Sequence, residues 1–414
     1  MDIQYKDGEV FIEEVKLNNI IDSYTTPIYL YSQKIIEETY NKLDKDLSAE
    51  IFFAIKANSN QAILTLMKNC GAGADVVSVG ELKRALQAGF NPNKIIFEGV
   101  GKSKDDIIYA IKNNIRLINV ESIEELNMIN LIGKNLNKII DIGVRLNPNI
   151  DSNSLDKIST GKKTDKFGIS IEKLNEIISK ITSSNNINLK GISCHVGSQI
   201  YDTLIFKKVF IAMKEAASII LAAGIKIEHV DLGGGFAINY EQRQNELDID
   251  GIAKLINSLF FNEPYQISFE PGRYLIARAG IIITKILTTK ENGGINFLIT
   301  DAGMHTLLRP AMYGSLHQIE ALNKSNKDKV IYTIAGPICE SSDIIAKEIT
   351  LPKQNIDDYL IIHDVGAYGA TMASNYNSRG IPNEILIHKD KFSVIHKEEQ
   401  ILEIIKRDSI PDWL

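Results

Sequence analysis

Lys56 closes an apolar run, Ile51-Phe52-Phe53-Ala54-Ile55, and is followed by Ala57-Asn58. Such a run reads as a buried strand. Desolvation at its end lowers a lysine's pKa and frees the amine for Schiff-base chemistry. Other reactive residue types recur at the ends of later apolar segments: Asp75, Glu98-Gly99, Asn147, His195-Val196-Gly197-Ser198-Gln199, Gly233-Gly234-Gly235 and Glu270-Pro271-Gly272-Arg273. Singly, each has an ordinary explanation: a snorkelling lysine, a satisfied core histidine, a tight turn, a surface ion pair. Together they bring an amine, an aromatic base, three consecutive glycines and a carboxylate–arginine pair to successive strand ends. Glycines near a helix start let backbone N–H groups approach a phosphate, and Ser198 and Arg273 add a hydroxyl donor and a cation. An amine beside an anion site fits pyridoxal 5'-phosphate, held by its phosphate and bonded at its aldehyde.

The elements that must position these groups follow a rhythm. After Lys56, Ile63, Leu66, Met67 and Cys70 fall at the spacing of one helix face. Strand and helix then alternate until eight strands are counted between Ile51 and about Gly272, which argues a parallel (β/α)8 barrel of the TIM type. In such barrels the reactive groups gather where the strands end. An open doubly wound sheet is the alternative. The barrel is preferred because no GxGxxG fingerprint opens a first βα unit. Beyond Arg273 the segments Tyr274 to Leu287, Asn296 to Thr300, Lys329 to Ala335, Ile344 to Thr350, Tyr359 to His363, Glu384 to His388 and Phe392 to His396 read as strands without long helices between them. The expected organisation is a cofactor-binding barrel over 25–273 and a mainly β domain from 1–24 plus 274–414.

Composition narrows the class. A chain of 414 residues exceeds what one core usually supports, and 44% hydrophobic with 24% charged residues is ordinary for a soluble enzyme. The net charge of −6, without a basic run, argues against nucleic acid as a partner. No apolar stretch approaches a membrane span, and Met1 to Val10 has no signal-peptide pattern. Cys70, Cys194 and Cys339 are odd in number, far apart and without a CxxC, so neither disulfides nor a metal site is expected. The reading is cytoplasmic.

Four motifs carry a likeness that extends over nearly the whole chain. Phe-Ala-Ile-Lys-Ala-Asn at 53–58, His-Val-Gly-Ser-Gln at 195–199, Asp-Leu-Gly-Gly-Gly-Phe at 231–236 and Glu-Pro-Gly-Arg-Tyr at 270–274 resemble, in order and spacing, the fold type III pyridoxal-phosphate decarboxylases, whose architecture is alanine racemase-like. The resemblance implies that Lys56 carries the cofactor aldehyde and that His195 stacks on the pyridine ring. It implies that Ser198, Gly233, Gly234, Gly235 and the Gly272-Arg273 backbone hold the phosphate, and that Glu270 pairs with the pyridine nitrogen. A carboxylate there keeps that nitrogen protonated, which favours decarboxylation over the racemisation served by an arginine.

Within that family, Asp301-Ala302-Gly303-Met304, Leu308-Arg309-Pro310-Ala311-Met312-Tyr313, Gly336 to Asp343 and Asp364 to Gly369 resemble the diaminopimelate decarboxylases. By that likeness Arg309 and Tyr313, with Arg273, bind a substrate carboxylate. Glu340 holds the distal ammonium, Cys339 donates a proton, and Tyr368 contacts cofactor and substrate. An arginine fork suits a carboxylate, so a substrate with both an amine and a carboxylate at its far end, meso-2,6-diaminopimelate, is implied, with L-lysine and CO2 as products. A homodimer with shared sites is implied as well. Without the family pattern Cys339 reads as a small buried hydrophobe and Tyr313 as core packing. Decarboxylases of ornithine, arginine or carboxynorspermidine, a non-catalytic pyridoxal-phosphate protein and a sugar isomerase are the rival readings. The chain departs from the pattern at Ser154-Leu155, before Ile158-Ser159-Thr160-Gly161, and at His305, with consequences expected for the loop 151–166.

Overall fold

The structure, a computed structural model, describes residues 1, 3–6, 8–152, 160–240, 246–323 and 328–414. Of the departures from the family pattern, Ser154-Leu155 and Ile158-Ser159 lie outside these residues. The chain forms two compact units, one of described residues 38–238 and 246–275, the other of 1–37, 239–240 and 276–414.

The first unit is built on eight parallel strands: Glu50–Ala54, Gly73–Val76, Ile95–Phe97, Leu117–Val120, Ile140–Asn147, Ile187–Ser193, His229–Asp231 and Gln266–Phe269. Each pairs with the next, and the last returns to the first through Ser268↔Glu50 and Phe269↔Ile51. The barrel is therefore closed, which excludes the open-sheet alternative. Helices Gln61–Cys70, Val79–Gln87, Lys104–Lys112, Ile123–Leu136, Leu174–Thr182, Thr203–Ala222 and Ile249–Phe260 run between strands. Short polar residues start them: Asn60, Ser78, Ser122, Asp202 and Asp248 accept from first-turn N–H groups. Ser103 and Asp106 form a reciprocal capping box. On the first helix Ile63, Leu66 and Met67 are buried, as the spacing predicts.

The second unit is mainly β. Its central strand, Gly280–Asn292, pairs antiparallel with Ile28–Ser32, Ile295–Thr300 and Tyr359–Ile362. Ile28–Ser32 in turn lies parallel to Asn383–His388. The N-terminal strands add to this core: Val10, Ile12, Val15, Leu17 and Ile20 pack with Leu30, Ile283, Ile361 and Ile385. Two boundaries differ from the sequence reading. The expected barrel start at residue 25 moves to Glu38, because Ile28–Ser32 spends both edges on strands of the β unit. The strand expected from Tyr274 starts instead at Gly280, because Arg273–Ile276 and Ala277–Ala279 form short helical turns first. No helix among the described residues is long and apolar enough to cross a membrane.

Candidate active site

At the barrel's C-terminal mouth the chain turns sharply at Gly233-Gly234-Gly235. Gly233 and Gly235 have φ of +72° and +86°, and a Cβ on any of the three would collide with the carbonyl of Cys194, Glu270 or Gly197. The turn is fixed from both sides. Asp231 accepts from Gly233 N–H at 2.7 Å, and Ile200 N–H donates to the Gly235 carbonyl at 2.9 Å. Gln199 donates to the carbonyl and accepts from the N–H of Ile238, both at 3.0 Å, so the 195–199 loop and the glycine turn form one surface.

His195 belongs to that surface. Its Nδ1 accepts from Gly234 N–H at 3.1 Å, which puts the ring proton on Nε2. Burial, reinforced by the charges of Lys56 and Arg145, holds its pKa well below the ordinary value, so the imidazole is neutral. Arg273 donates to Ser198 Oγ from Nε at 3.3 Å and Nη2 at 3.1 Å. With Oγ accepting these bonds, the serine hydroxyl keeps its own proton to donate to an anion.

Lys56 lies in a single 3-10 turn, Ile55–Ala57, rather than in the strand itself. Its Nζ is 3.0 Å from Asp75 Oδ2, and its side chain keeps 34% exposure while Asp75 keeps none. The amine thus has a buried counter-ion on one side and access on the other. Beneath it the barrel is filled with charge. Arg145 reaches Glu121 at 3.1 Å and Glu98 at 3.6 Å, and lies over the Phe167 ring at 5.0 Å. Gly143 leaves the space that Asn119 fills, and the Asn119 amide donates to Glu98, which also accepts from Ser193 at 2.9 Å. Glu121 accepts from Gly99 and Gly168 N–H groups at 3.0 and 2.8 Å, tying two mouth loops to the same ion cluster. Asn147 holds the following loop by donating to the carbonyls of Lys162 and Phe167.

Glu270 completes this interior. It is buried, and its Oε1 has no hydrogen-bond partner among the described residues. Burial, with the charges of Asp231, Asp75 and Glu98, pushes its pKa well above the ordinary value. A buried, partnerless carboxyl oxygen is costly unless something fills its place. A protonated ring nitrogen would.

The β unit carries the remaining sequence-predicted residues. Arg309 and Tyr313 begin and end one short helix, Arg309–Tyr313, the former buried and the latter half-buried. Cys339 and Glu340 lie in an exposed loop, so Cys339 is not the buried hydrophobe that composition alone implies. Asp343 braces that loop, accepting from Met304 N–H at 2.6 Å and Ile338 N–H at 2.7 Å, while Cys339 N–H donates to Asn377 at 2.9 Å. Tyr368 has φ of +58° in the turn after Tyr359–Ile362. His305 is buried, and burial with the charge of Arg379 lowers its pKa to about 4. Arg145, Glu121, Asp231 and Asp343 received no role from the sequence. For Arg145 the available signal was an arginine inside the run Ile140-Asp141-Ile142-Gly143-Val144-Arg145-Leu146.

An amine with one buried counter-ion, a neutral imidazole, a glycine turn that a Cβ would block and an unmatched buried carboxyl together fit pyridoxal 5'-phosphate. The class is that of pyridoxal-phosphate enzymes on a closed parallel barrel. Residues 33–277 match the family model for the pyridoxal-binding domain of pyridoxal-dependent decarboxylases. The chain is 36% identical to the diaminopimelate decarboxylase of Zymomonas mobilis over 416 residues, covering 99% of each. Its fold matches a crystal structure of diaminopimelate decarboxylase from M. jannaschii in co-complex with L-lysine at a TM-score of 0.94 and 35% identity, covering 100% of this chain and 98% of that one. The enzyme from Helicobacter pylori complexed with L-lysine matches at 0.90 and 35%, covering 94% and 98%. The chain belongs to the pyridoxal-dependent decarboxylase family, among whose members the diaminopimelate decarboxylases are similar to it over nearly full length.

Asp231 gives a prediction of its own. Burial pushes its carboxyl up to about 7, with the charges of Glu98 and Asp75 adding to the rise and the bonds from Ser268 and Gly233 opposing it. Between about pH 4 and 7 the native carboxyl therefore keeps a proton that the unfolded chain has released, and stability falls as pH rises, by at most ~1.4 kcal/mol per pH unit for one group. Asp231→Asn keeps an acceptor for Gly233 and removes the titration. In urea unfolding of cofactor-free protein across this range, the pH slope of stability should become shallower; an unchanged slope would contradict the assignment.

Proposed function

We propose that this chain decarboxylates meso-2,6-diaminopimelate to L-lysine and CO2, as a carboxy-lyase in lysine biosynthesis. The observation that carries the reading is the full-length similarity to diaminopimelate decarboxylases, two of them solved with L-lysine, in a chain whose barrel mouth fits pyridoxal phosphate. Bound there, the cofactor supplies an electron sink for the bond that breaks at the substrate's Cα.

This chain's residues supply the rest. Lys56 offers the amine that would carry the cofactor aldehyde, and Asp75 is the counter-ion beside its ammonium form. Glu270 would pair with the ring nitrogen, a role supported by its burial and by an Oε1 unmatched among the described residues. His195, kept neutral, packs its ring on the pyridine without adding a charge. The N–H groups of Gly233, Gly234 and Gly235, the Ser198 hydroxyl, and the Gly272-Arg273 backbone receive the phosphate. Arg309 and Tyr313, with Arg273, take the substrate's remaining carboxylate, Glu340 its distal ammonium, and Cys339 returns a proton to Cα, with Tyr368 contacting both molecules. These last roles rest on the family likeness of the segments that hold them.

The reading extends to a cytoplasmic homodimer with shared sites, supported by that likeness. Mixing Lys56→Ala and Cys339→Ala chains should then restore part of the activity that each lacks alone; no restoration would argue for self-contained sites. The function itself is tested by mass spectrometry of products from meso-diaminopimelate, ornithine, arginine and carboxynorspermidine offered in parallel to cofactor-loaded protein. Lysine from diaminopimelate alone is expected. Turnover of another of the four in its place would overturn the substrate assignment.

A further inference from the structure

Arg309 does not stand by itself in the β unit. Its guanidinium carbon lies 4.5 Å from the centre of the Tyr240 ring, Nη1 is 3.1 Å from His317 Nε2, and Nη2 is 3.3 Å from Ser315 Oγ. Arg309, Tyr240 and His317 are all buried, and the Tyr240 and His317 rings meet edge to face at 5.2 Å. On its far side His317 Nδ1 is 2.8 Å from the backbone carbonyl of His363, and the His363 ring is 2.8 Å from Glu320. The carbonyl rests on paired backbone: His363 N–H donates to the Gln318 carbonyl at 2.9 Å, and Ile319 pairs with Ile362.

These partners fix the protonation of His317. A carbonyl can only accept, so Nδ1 carries the proton; a guanidinium can only donate, so Nε2 presents its lone pair. The histidine is thus a neutral acceptor that takes one guanidinium N–H without consuming the charge. The Tyr240 face sets the plane of the group and the His317 lone pair sets its rotation in that plane. We infer that His317 is a positioning residue for substrate recognition: anchored to the His363 carbonyl, it holds the Arg309 fork in the orientation that receives the substrate's distal carboxylate. The inference rests on the carboxylate-binding role of Arg309 proposed above.

Two substitutions separate the halves of this device. The amide nitrogen of asparagine falls near Nδ1, so His317→Asn keeps the anchor to His363 and loses the acceptor for Arg309. Glutamine reaches the position of Nε2, so His317→Gln keeps the acceptor and loses the anchor. With loaded enzyme, His317→Asn should raise KM for meso-diaminopimelate about tenfold while kcat changes by no more than about twofold, as expected for lost uniform binding. Calorimetric affinity for L-lysine, which retains that carboxylate, should fall by a similar factor. His317→Gln should recover most of both. A KM and lysine affinity for His317→Asn equal to those of the unsubstituted enzyme would overturn the inference. So would equal impairment of the two variants, the outcome of a merely structural role. Arg309→Met serves as the reference: if it leaves KM and lysine affinity unchanged, the carboxylate role of Arg309 itself fails. If it weakens both while His317→Asn does not, only the positioning role fails.

Discussion

The barrel interior is organised by an imbalance of buried charge. Arg145 and Lys56 face Asp75, Glu98, Glu121, Asp231 and Glu270, most of them removed from water. Burying so many carboxylates without matching cations is costly, and the barrel responds by raising the pKa of Asp75, Glu121, Asp231 and Glu270. Arg145 keeps its charge through Glu98 and Glu121 and ties the loops at Gly99 and Gly168 to the barrel floor. What remains is a mouth in which burial and the charges of Asp231, Asp75 and Glu98 favour the protonated form of the Glu270 carboxyl. A cofactor with a basic ring nitrogen at one end and a phosphate at the other fits that polarity: the nitrogen at the carboxyl, the phosphate at the glycine N–H groups.

Packing makes the imbalance tenable. Asn119 enters the space left by Gly143 to hold Glu98, and Ser268 and Gly233 share Asp231. Polar groups satisfied in this way lock one another's rotamers beneath the turn that carries the reactive amine. The β unit treats its own buried cation differently. Arg145 is compensated by carboxylates, whereas Arg309 meets a neutral histidine, a hydroxyl and an aromatic face.

The fold was largely legible in the chain because alternation of strand and helix is a local signal and the reactive residues stand at the strand ends. The apolar spacing after Lys56 predicted the buried face of the first helix. Closure of the sheet was preferred on the lack of a glycine fingerprint, but it is a long-range fact, carried by Phe269 beside Ile51. Ile28–Ser32 was misplaced for the same reason: its partners lie some 250 and 350 residues away, and nothing in its own pattern names them. Arg145 and Asp231 went unassigned because a charged residue in an apolar strand has meaning only once its neighbours are known. Tyr274 to Ala279 was read as strand because its apolar run is too short for periodicity to separate helical turns from strand.

The most direct test is reduction of the cofactor-loaded protein with borohydride, followed by peptide mass mapping. The reduced bond fixes a pyridoxyl group on whichever lysine carries the cofactor. The account predicts that group on the peptide containing Lys56 and on no other. A pyridoxyl group on Lys102 or any other lysine, with Lys56 unmodified, would contradict it.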